Sequence, residues 1–326
     1  MKRFAILGTG MIAAFHAEAL AAMEGGRLVA VCDRDGGRAR AFADAHGLSP
    51  GCAFDDIDVL LGGGGVDVLL VATPSGFHHE GVLAAARHGV HVLCEKPLEI
   101  STARIDRLAA ICGEAEVFLG GIFQTRWTDT FMEARRLIDS GALGRLTYAS
   151  VQVPWWRSDD YYAGSSWRGT YAVDGGGALM NQGIHMLDWL TALMPPVEEV
   201  KAFTATLAHD IEAEDTAAAV IRFRGGALGH VYATTASFPG SAKRFELHGT
   251  KGTFVFDDSE HGAARPDHIE SELHRRCFTA FAAALDGGPA YPVDAAEARK
   301  SVALVEAICG VHPDPILPIL TNPTNH

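Results

Sequence analysis

Lys96, His185 and Asn181 form a set that could orient an alcohol and take its proton as hydride leaves its carbon. Cys94-Glu95-Lys96-Pro97 closes the apolar run His91–Cys94. Proline disfavours the helical region for the residue before it, so Lys96 is expected to be extended at a strand end. An ammonium held there can orient a hydroxyl group and stabilise negative charge developing on its oxygen. In the second half, Gly175-Gly176-Gly177 leads into an apolar helical pattern that carries Asn181, His185 and Asp188. Positions four apart share a helix face, so Asn181 and His185 are expected side by side, with Asp188 on the same side. An imidazole titrates near neutrality and can take the proton of an alcohol as hydride leaves its carbon. Asn181 would orient that ring or a substrate hydroxyl. Taken singly, a lysine after a strand reads as a surface residue and a histidine in an apolar helix as a core residue. Their joint presence argues for catalysis. One histidine and one acid are too few ligands for a metal, and none is expected.

Two further features point to a dinucleotide. Gly8-Thr9-Gly10-Met11-Ile12-Ala13 follows a strand and opens a helix. The first glycine permits the tight turn, the second lets the backbone approach a pyrophosphate, and Ala13 allows close helix–strand packing. The diphosphate would sit at the helix N-terminus, where free N–H groups favour an anion. Asp33 ends the next strand, where an acid bonds the adenosine ribose hydroxyls. An ionised Asp33 repels a 2′-phosphate, which favours NAD; Arg34 beside it could receive that phosphate, which leaves NADP open.

Trp155-Trp156-Arg157, Tyr161-Tyr162 and Trp167-Arg168 crowd the loop before the His185 helix, and hold three of the chain's five tryptophans. Aromatic faces stack on the C–H faces of sugars and cyclitols, while arginine and tyrosine bond ring hydroxyls. Arg157, Tyr161, Trp167 and Arg168, with Asn181 and His185, are therefore assigned to a substrate pocket. Trp155 and Trp156 suit a subunit contact equally well. Phe123-Gln124-Thr125-Arg126 is expected to approach a nicotinamide, with Gln124 touching the cofactor. His268, at the start of a late helix, is a weaker substrate candidate.

The elements that must hold these residues follow two rhythms. Up to about residue 122, apolar strands (Phe4–Leu7, Leu28–Cys32, Val66–Ala72, His91–Cys94, Val117–Leu119) alternate with helical patterns. That predicts a Rossmann-type doubly wound parallel sheet for residues 1–122. Residues 123–326 read as α+β, a mainly antiparallel open sheet flanked by helices, including one over Ala178–Leu193. The segment His312–His326, with four prolines, reads as an extended tail. Two domains agree with 326 residues at about 150 per domain. With Lys+Arg 27 against Asp+Glu 40 the net charge is −13, which argues against nucleic acid and anionic membrane surfaces as partners. At 48% hydrophobic and 21% charged, the chain is not a disordered one. No apolar run reaches the roughly 18–20 residues that span a bilayer. Six dispersed cysteines without a Cys-x-x-Cys pair suggest a reduced, cytoplasmic protein.

The chain resembles the Gfo/Idh/MocA family of nicotinamide-dependent oxidoreductases. The resemblance rests on the Gly8–Ala13 turn, Ala72-Thr73-Pro74 with His78, Glu95-Lys96-Pro97, the glycines leading to His185, and Glu297-Ala298-Arg299-Lys300-Ser301. It implies that Lys96 and His185 form the catalytic pair, and that Thr73, Pro74, His78 and Glu95 line the cofactor beside Gly8–Ile12 and Lys96. It also implies that the second sheet packs against other subunits, giving a homodimer or homotetramer. Many members carry an aspartate where this chain has Asn181, and an amide cannot raise the histidine pKa as a carboxylate would. The tail also departs from the family's usual short ending. The activity implied is reversible hydride transfer between NAD(P) and a secondary alcohol of a sugar, sugar derivative or cyclitol. A non-catalytic dinucleotide or sugar sensor, and a reductase of a carbonyl or imine, are the rival readings.

Overall fold

The structure is a computed structural model that describes residues 1–261 and 271–310. His268 and the segment 312–326 lie outside the described residues. The first half builds strands β1 (Lys2–Leu7), β2 (Gly26–Cys32), β3 (Ala53–Phe54), β4 (Val68–Val71), β5 (His91–Glu95) and β6 (Leu119–Ile122). They form a parallel sheet in the order β3-β2-β1-β4-β5-β6. The order reverses between β1 and β4, the switch point outside whose carboxyl edges doubly wound sheets bind ligands. Helices α1 (Met11–Ala21), α2 (Gly36–Ala45), α3 (Ile57–Gly62), α4 (His78–Arg87) and α5 (Thr102–Glu114) connect the strands.

Local chemistry sets these boundaries. Asp35, Asp56 and Ser101 cap α2, α3 and α5 by accepting from backbone N–H groups of the first turn. By contrast, α1 starts at Gly10 with no capping side chain and no acid in its first turn. Its free N–H groups remain available to an anion. Strand β6 lies at Leu119–Ile122 rather than at Val117–Leu119 because two glycines interrupt its apolar pattern. They are glycines for packing reasons: a Cβ at Gly120 would come within 2.9 Å of the Tyr291 ring, and one at Gly121 within 3.0 Å of the Ala298 Cβ. The two-residue β3 is too short to leave a periodic signature.

The second half contains α6 (Asp129–Asp139), β7 (Leu146–Pro154), α7 (Asp159–Ala163), α8 (Ile184–Leu193), β8 (Val197–Ala205), β9 (Thr216–Phe223), β10 (Leu228–Thr234), β11 (Arg244–Gly249), β12 (Thr253–Asp257), α9 (Ser271–Leu285) and α10 (Ala295–Cys309). The sheet order is β12-β11-β7-β10-β9-β8, with β7 and β10 parallel and the other neighbours antiparallel. Burial alternates along β9, as on a sheet covered on one face only. The covered face packs on α8, whose wholly buried Trp189 meets the rings of Phe131, Phe245 and Phe256 at 5.4–5.6 Å.

The last two helices return to the first sheet. α9 lies against α1, and α10 lies against both α5 and β6. Buried Arg126 ties α8 to α10: it donates to both Asp188 oxygens at 2.7 and 2.8 Å and to Glu297 at 3.4 Å. None of the described helices is long and apolar enough to cross a membrane. The six cysteines form no disulfide.

Candidate active site

A cleft of about 1420 Å³ runs from the carboxyl ends of β1, β2 and β4 to the second sheet. The residues assigned above to cofactor, catalysis or substrate line it, apart from Phe123 and Arg126 of the segment expected near the nicotinamide and His268, which is not described. At one end, Gly8 adopts φ +91°, and a Cβ there would sit 2.8 Å from the Ala72 carbonyl oxygen. Glycine is required for the strand to turn so tightly beneath β4. A Cβ on Gly10 would instead meet nothing within 4 Å, so open space lies over the N–H groups of α1. This cradle fits a pyrophosphate. Asp33 stands at the edge of the cradle, accepting from the Thr9 N–H (2.9 Å), the Thr9 hydroxyl (2.7 Å) and the Asp35 N–H (3.0 Å). Burial pushes its pKa up, but these bonds and the Arg38 charge outweigh it and hold the carboxylate below its ordinary range. Arg34 is exposed, 5.1 Å over the Phe77 ring and 3.8 Å from Glu80. His78 lies between the Thr73 and Pro97 carbonyl oxygens, each 2.9 Å from a ring nitrogen.

Farther in, Lys96 donates from Nζ to the Asn181 carbonyl oxygen at 3.0 Å. Burial lowers its pKa, with Arg157 pushing the same way against Glu95 and Asp174. His185 is held well below the ordinary imidazole range, first by burial and then by the Lys96 charge. Its Nδ1 is buried with no hydrogen-bond partner among the described residues. The ring meets Phe123 edge-on at 6.0 Å.

Three expectations are corrected here. The helix expected over Ala178–Leu193 begins as a π-helical turn, Ala178–Gly183, and becomes α-helical only at Ile184. Asn181 lies on the π-helical turn and His185 on α8, and both line the cleft. The Asn181 amide donates to Asp174 Oδ1 at 2.9 Å. Asp188 is wholly buried against Arg126, outside the cleft, because α8 turns that face to the core. Arg126 is spent on that pair, so only Gln124 and Thr125 of its segment line the cleft.

The wall expected to hold substrate is formed by the segment after β7, by α7 and by the segment that follows it. The Arg157 and Arg168 guanidinium carbons lie 4.3 and 4.2 Å from the Tyr161 ring centroid, and Arg168 lies 5.4 Å from Trp167. Arg157 donates to Gln182 Oε1 (2.9 Å), and Gln182 donates to the Tyr161 hydroxyl (3.0 Å). Trp155 lines the cleft, whereas Trp156 packs against His209 and Phe238.

Several contacts of this site carried no sequence signal of their own. Asp174 is buried, accepts from the Gly169 N–H and the Asn181 amide, and has its pKa pushed up by burial to about 6. Glu214 receives the Gly177 and Leu179 N–H groups, taking the place of a cap on the π-helical turn. Buried Glu95 accepts from His16 Nε2 (2.8 Å) and from the Lys96 N–H (3.0 Å), with His274 Nε2 at 3.7 Å. His16, Glu95 and His274 are the one group among the described residues with the ligand types and proximity to hold a metal ion. No spacing announced it, since 79 residues separate the first two. Asp174 alone had a clue, its place just before the glycine turn.

A sequence model described as an oxidoreductase family with an NAD-binding Rossmann fold matches residues 2–121. One described as the GFO/IDH/MocA C-terminal domain matches residues 131–255. A myo-inositol 2-dehydrogenase of Thermotoga maritima is 30% identical over 266 residues, 78% of this chain and 75% of that protein. A scyllo-inositol 2-dehydrogenase (NADP(+)) of Bacillus subtilis is 28% identical over 273 residues, 83% and 79% of the two chains. Among solved structures, the WlbA dehydrogenase of Bordetella pertussis, in complex with NADH and UDP-GlcNAcA, superposes with a TM-score of 0.85. It is 34% identical, covering 94% of this chain and 95% of that one.

Proposed function

The chain belongs to the Gfo/Idh/MocA family of NAD(P)-dependent oxidoreductases, and from that membership we propose that it oxidises a secondary alcohol of a sugar, sugar derivative or cyclitol reversibly. The observation that carries this reading is the single cleft that joins the Gly8–Ile12 cradle to Lys96 and His185. The names of the inositol dehydrogenases it resembles point to the same substrate class. Asp33 at the ribose end favours NAD over NADP.

A nicotinamide cofactor held along Gly8–Ile12, Asp33 and Thr73 would supply hydride exchange with the substrate carbon. Lys96 exchanges its bond to the Asn181 carbonyl for the substrate oxygen and stabilises negative charge there. His185, kept neutral by burial and by Lys96, takes the hydroxyl proton in oxidation and returns it in reduction. Asn181 acts through its bond to Asp174, fixing the turn that carries the Lys96 acceptor.

Assembly belongs to the same proposal. The outer face of the second sheet leaves Phe203, Val220, Leu228 and Val255 exposed, and a second copy of the chain would cover it. Reduced cysteines suit a cytoplasmic enzyme.

The test is nicotinamide absorbance against a panel of polyols and sugars. Wild type should reduce NAD with at least one of them. Lys96→Met should lower kcat by roughly 100-fold or more while NADH still binds. Full activity in that variant would end the assignment of Lys96, and binding without turnover across the panel would favour a sensor.

A further inference from the structure

We propose that the substrate carries an anionic group, a carboxylate or a phosphate, held on the cleft wall by Arg168 with Arg157 beside it. This rests on the reading above that the cleft takes a sugar or cyclitol derivative. The acidic chain gives most of its buried or structural arginines a carboxylate. Arg126 has Asp188 and Glu297, Arg104 has Glu99, Arg244 has Glu246 and Asp257, and Arg275 and Arg276 share Glu272.

Arg168 differs. Its Nη1 donates to the Tyr161 carbonyl oxygen at 3.0 Å, and no carboxylate among the described residues lies within ion-pairing distance. Its Nε is buried without a hydrogen-bond partner among those residues. The Tyr161 and Trp167 rings hold the guanidinium on the cleft wall. A guanidinium is a fork of donors whose geometry matches carboxylate and phosphate oxygens. Neutral ring hydroxyls do not require a second guanidinium against the same tyrosine, as Arg157 supplies. The counter-charge nearest in effect is Asp174, which feels the Arg168 charge through space. Asp174 directs its own oxygens to the Gly169 N–H and the Asn181 amide.

The three probes share one ring: D-glucuronate, D-glucose 6-phosphate and D-glucose, titrated into the NADH-loaded protein and followed by tryptophan fluorescence. At least one anionic sugar should bind roughly 10-fold or more tighter than glucose, about 1.4 kcal/mol. Glucuronate ahead identifies a carboxylate subsite, and glucose 6-phosphate ahead identifies a phosphate subsite. Arg168→Gln should erase the preference and Arg168→Lys should restore part of it, with NADH binding and thermal midpoint checking that both variants fold. Equal binding of the three sugars, binding of none, or a preference that survives Arg168→Gln would overturn the proposal. NADH formation is read separately. Tight anion binding without turnover of any sugar would leave the subsite standing and remove the dehydrogenase reading. Turnover without anion preference would do the reverse.

Discussion

At the scale of single residues, the site is organised by two buried ionisable groups displaced in opposite directions. His185 is held well below the imidazole range by burial and by Lys96. Asp174 is raised by burial to about 6. In the reaction proposed above His185 is the base, and its lowered pKa keeps it neutral at pH values where an ordinary histidine has begun to protonate. Of these two groups, Asp174 is the one that changes as pH falls from neutrality. Its carboxylate supports the Lys96 ammonium and receives the Asn181 amide. Protonation removes the charge that favours the ammonium, so activity should be present above about 6 and fall as pH drops through it. The kcat/KM profile for oxidation should show an acid limb near that value. Asp174→Asn should lower the plateau several-fold and move the remaining limb to lower pH. An unchanged limb in the variant would assign it to another group.

At the scale of elements, the π-helical turn decides what the lysine touches. Its glycine entry is dictated by contact: a Cβ on Gly177 would collide with the Glu214 carbonyl oxygen, while the Gly177 N–H bonds the Glu214 carboxylate at 3.1 Å. Gly177→Ala must push Glu214 away and unseat the turn. Overpacking of this kind costs about 1–3 kcal/mol. The thermal midpoint should fall by several degrees and kcat should fall with it, because the Lys96 acceptor moves. Unaltered stability would mean that the turn adapts freely. This element also marks how far the sequence could be read. Lys96, the Gly8–Ala13 turn and the strand–helix alternation were legible because each depends on neighbours within a few residues. The π-helical start, the Asn181–Asp174 bond and the Glu214 cap were not. Helical spacing assumes one regular period, and Glu214 lies 37 residues from the N–H it receives. The displaced β6 failed similarly, since Gly120 and Gly121 answer to Tyr291 and Ala298 far along the chain.

At the scale of the whole molecule, a net charge of −13 must coexist with a cleft that takes an anionic cofactor. The positive groups are placed locally: Arg34, Arg38 and the α1 N-terminus at one end, and Lys96, Arg157, Arg168 and Lys243 at the other. The second sheet poses a different problem. Its inner face is sealed by α8, but outwardly Phe203 is 89%, Val220 60%, Leu228 51% and Val255 46% exposed. The strand registers put all four on one face. Large apolar residues gathered on one open sheet face mark an interaction surface more often than a solvated one. Light scattering should therefore find a dimer or tetramer at micromolar concentration. Val220→Asp buries a charge wherever that face meets its copy, and should weaken assembly by about 100-fold or more, near 3 kcal/mol. Val220 lies outside the cleft, so turnover per chain should persist in the dissociated variant. A monomeric wild type would refute the assembly, and a Val220→Asp variant that remains fully assembled would move the contact to another surface.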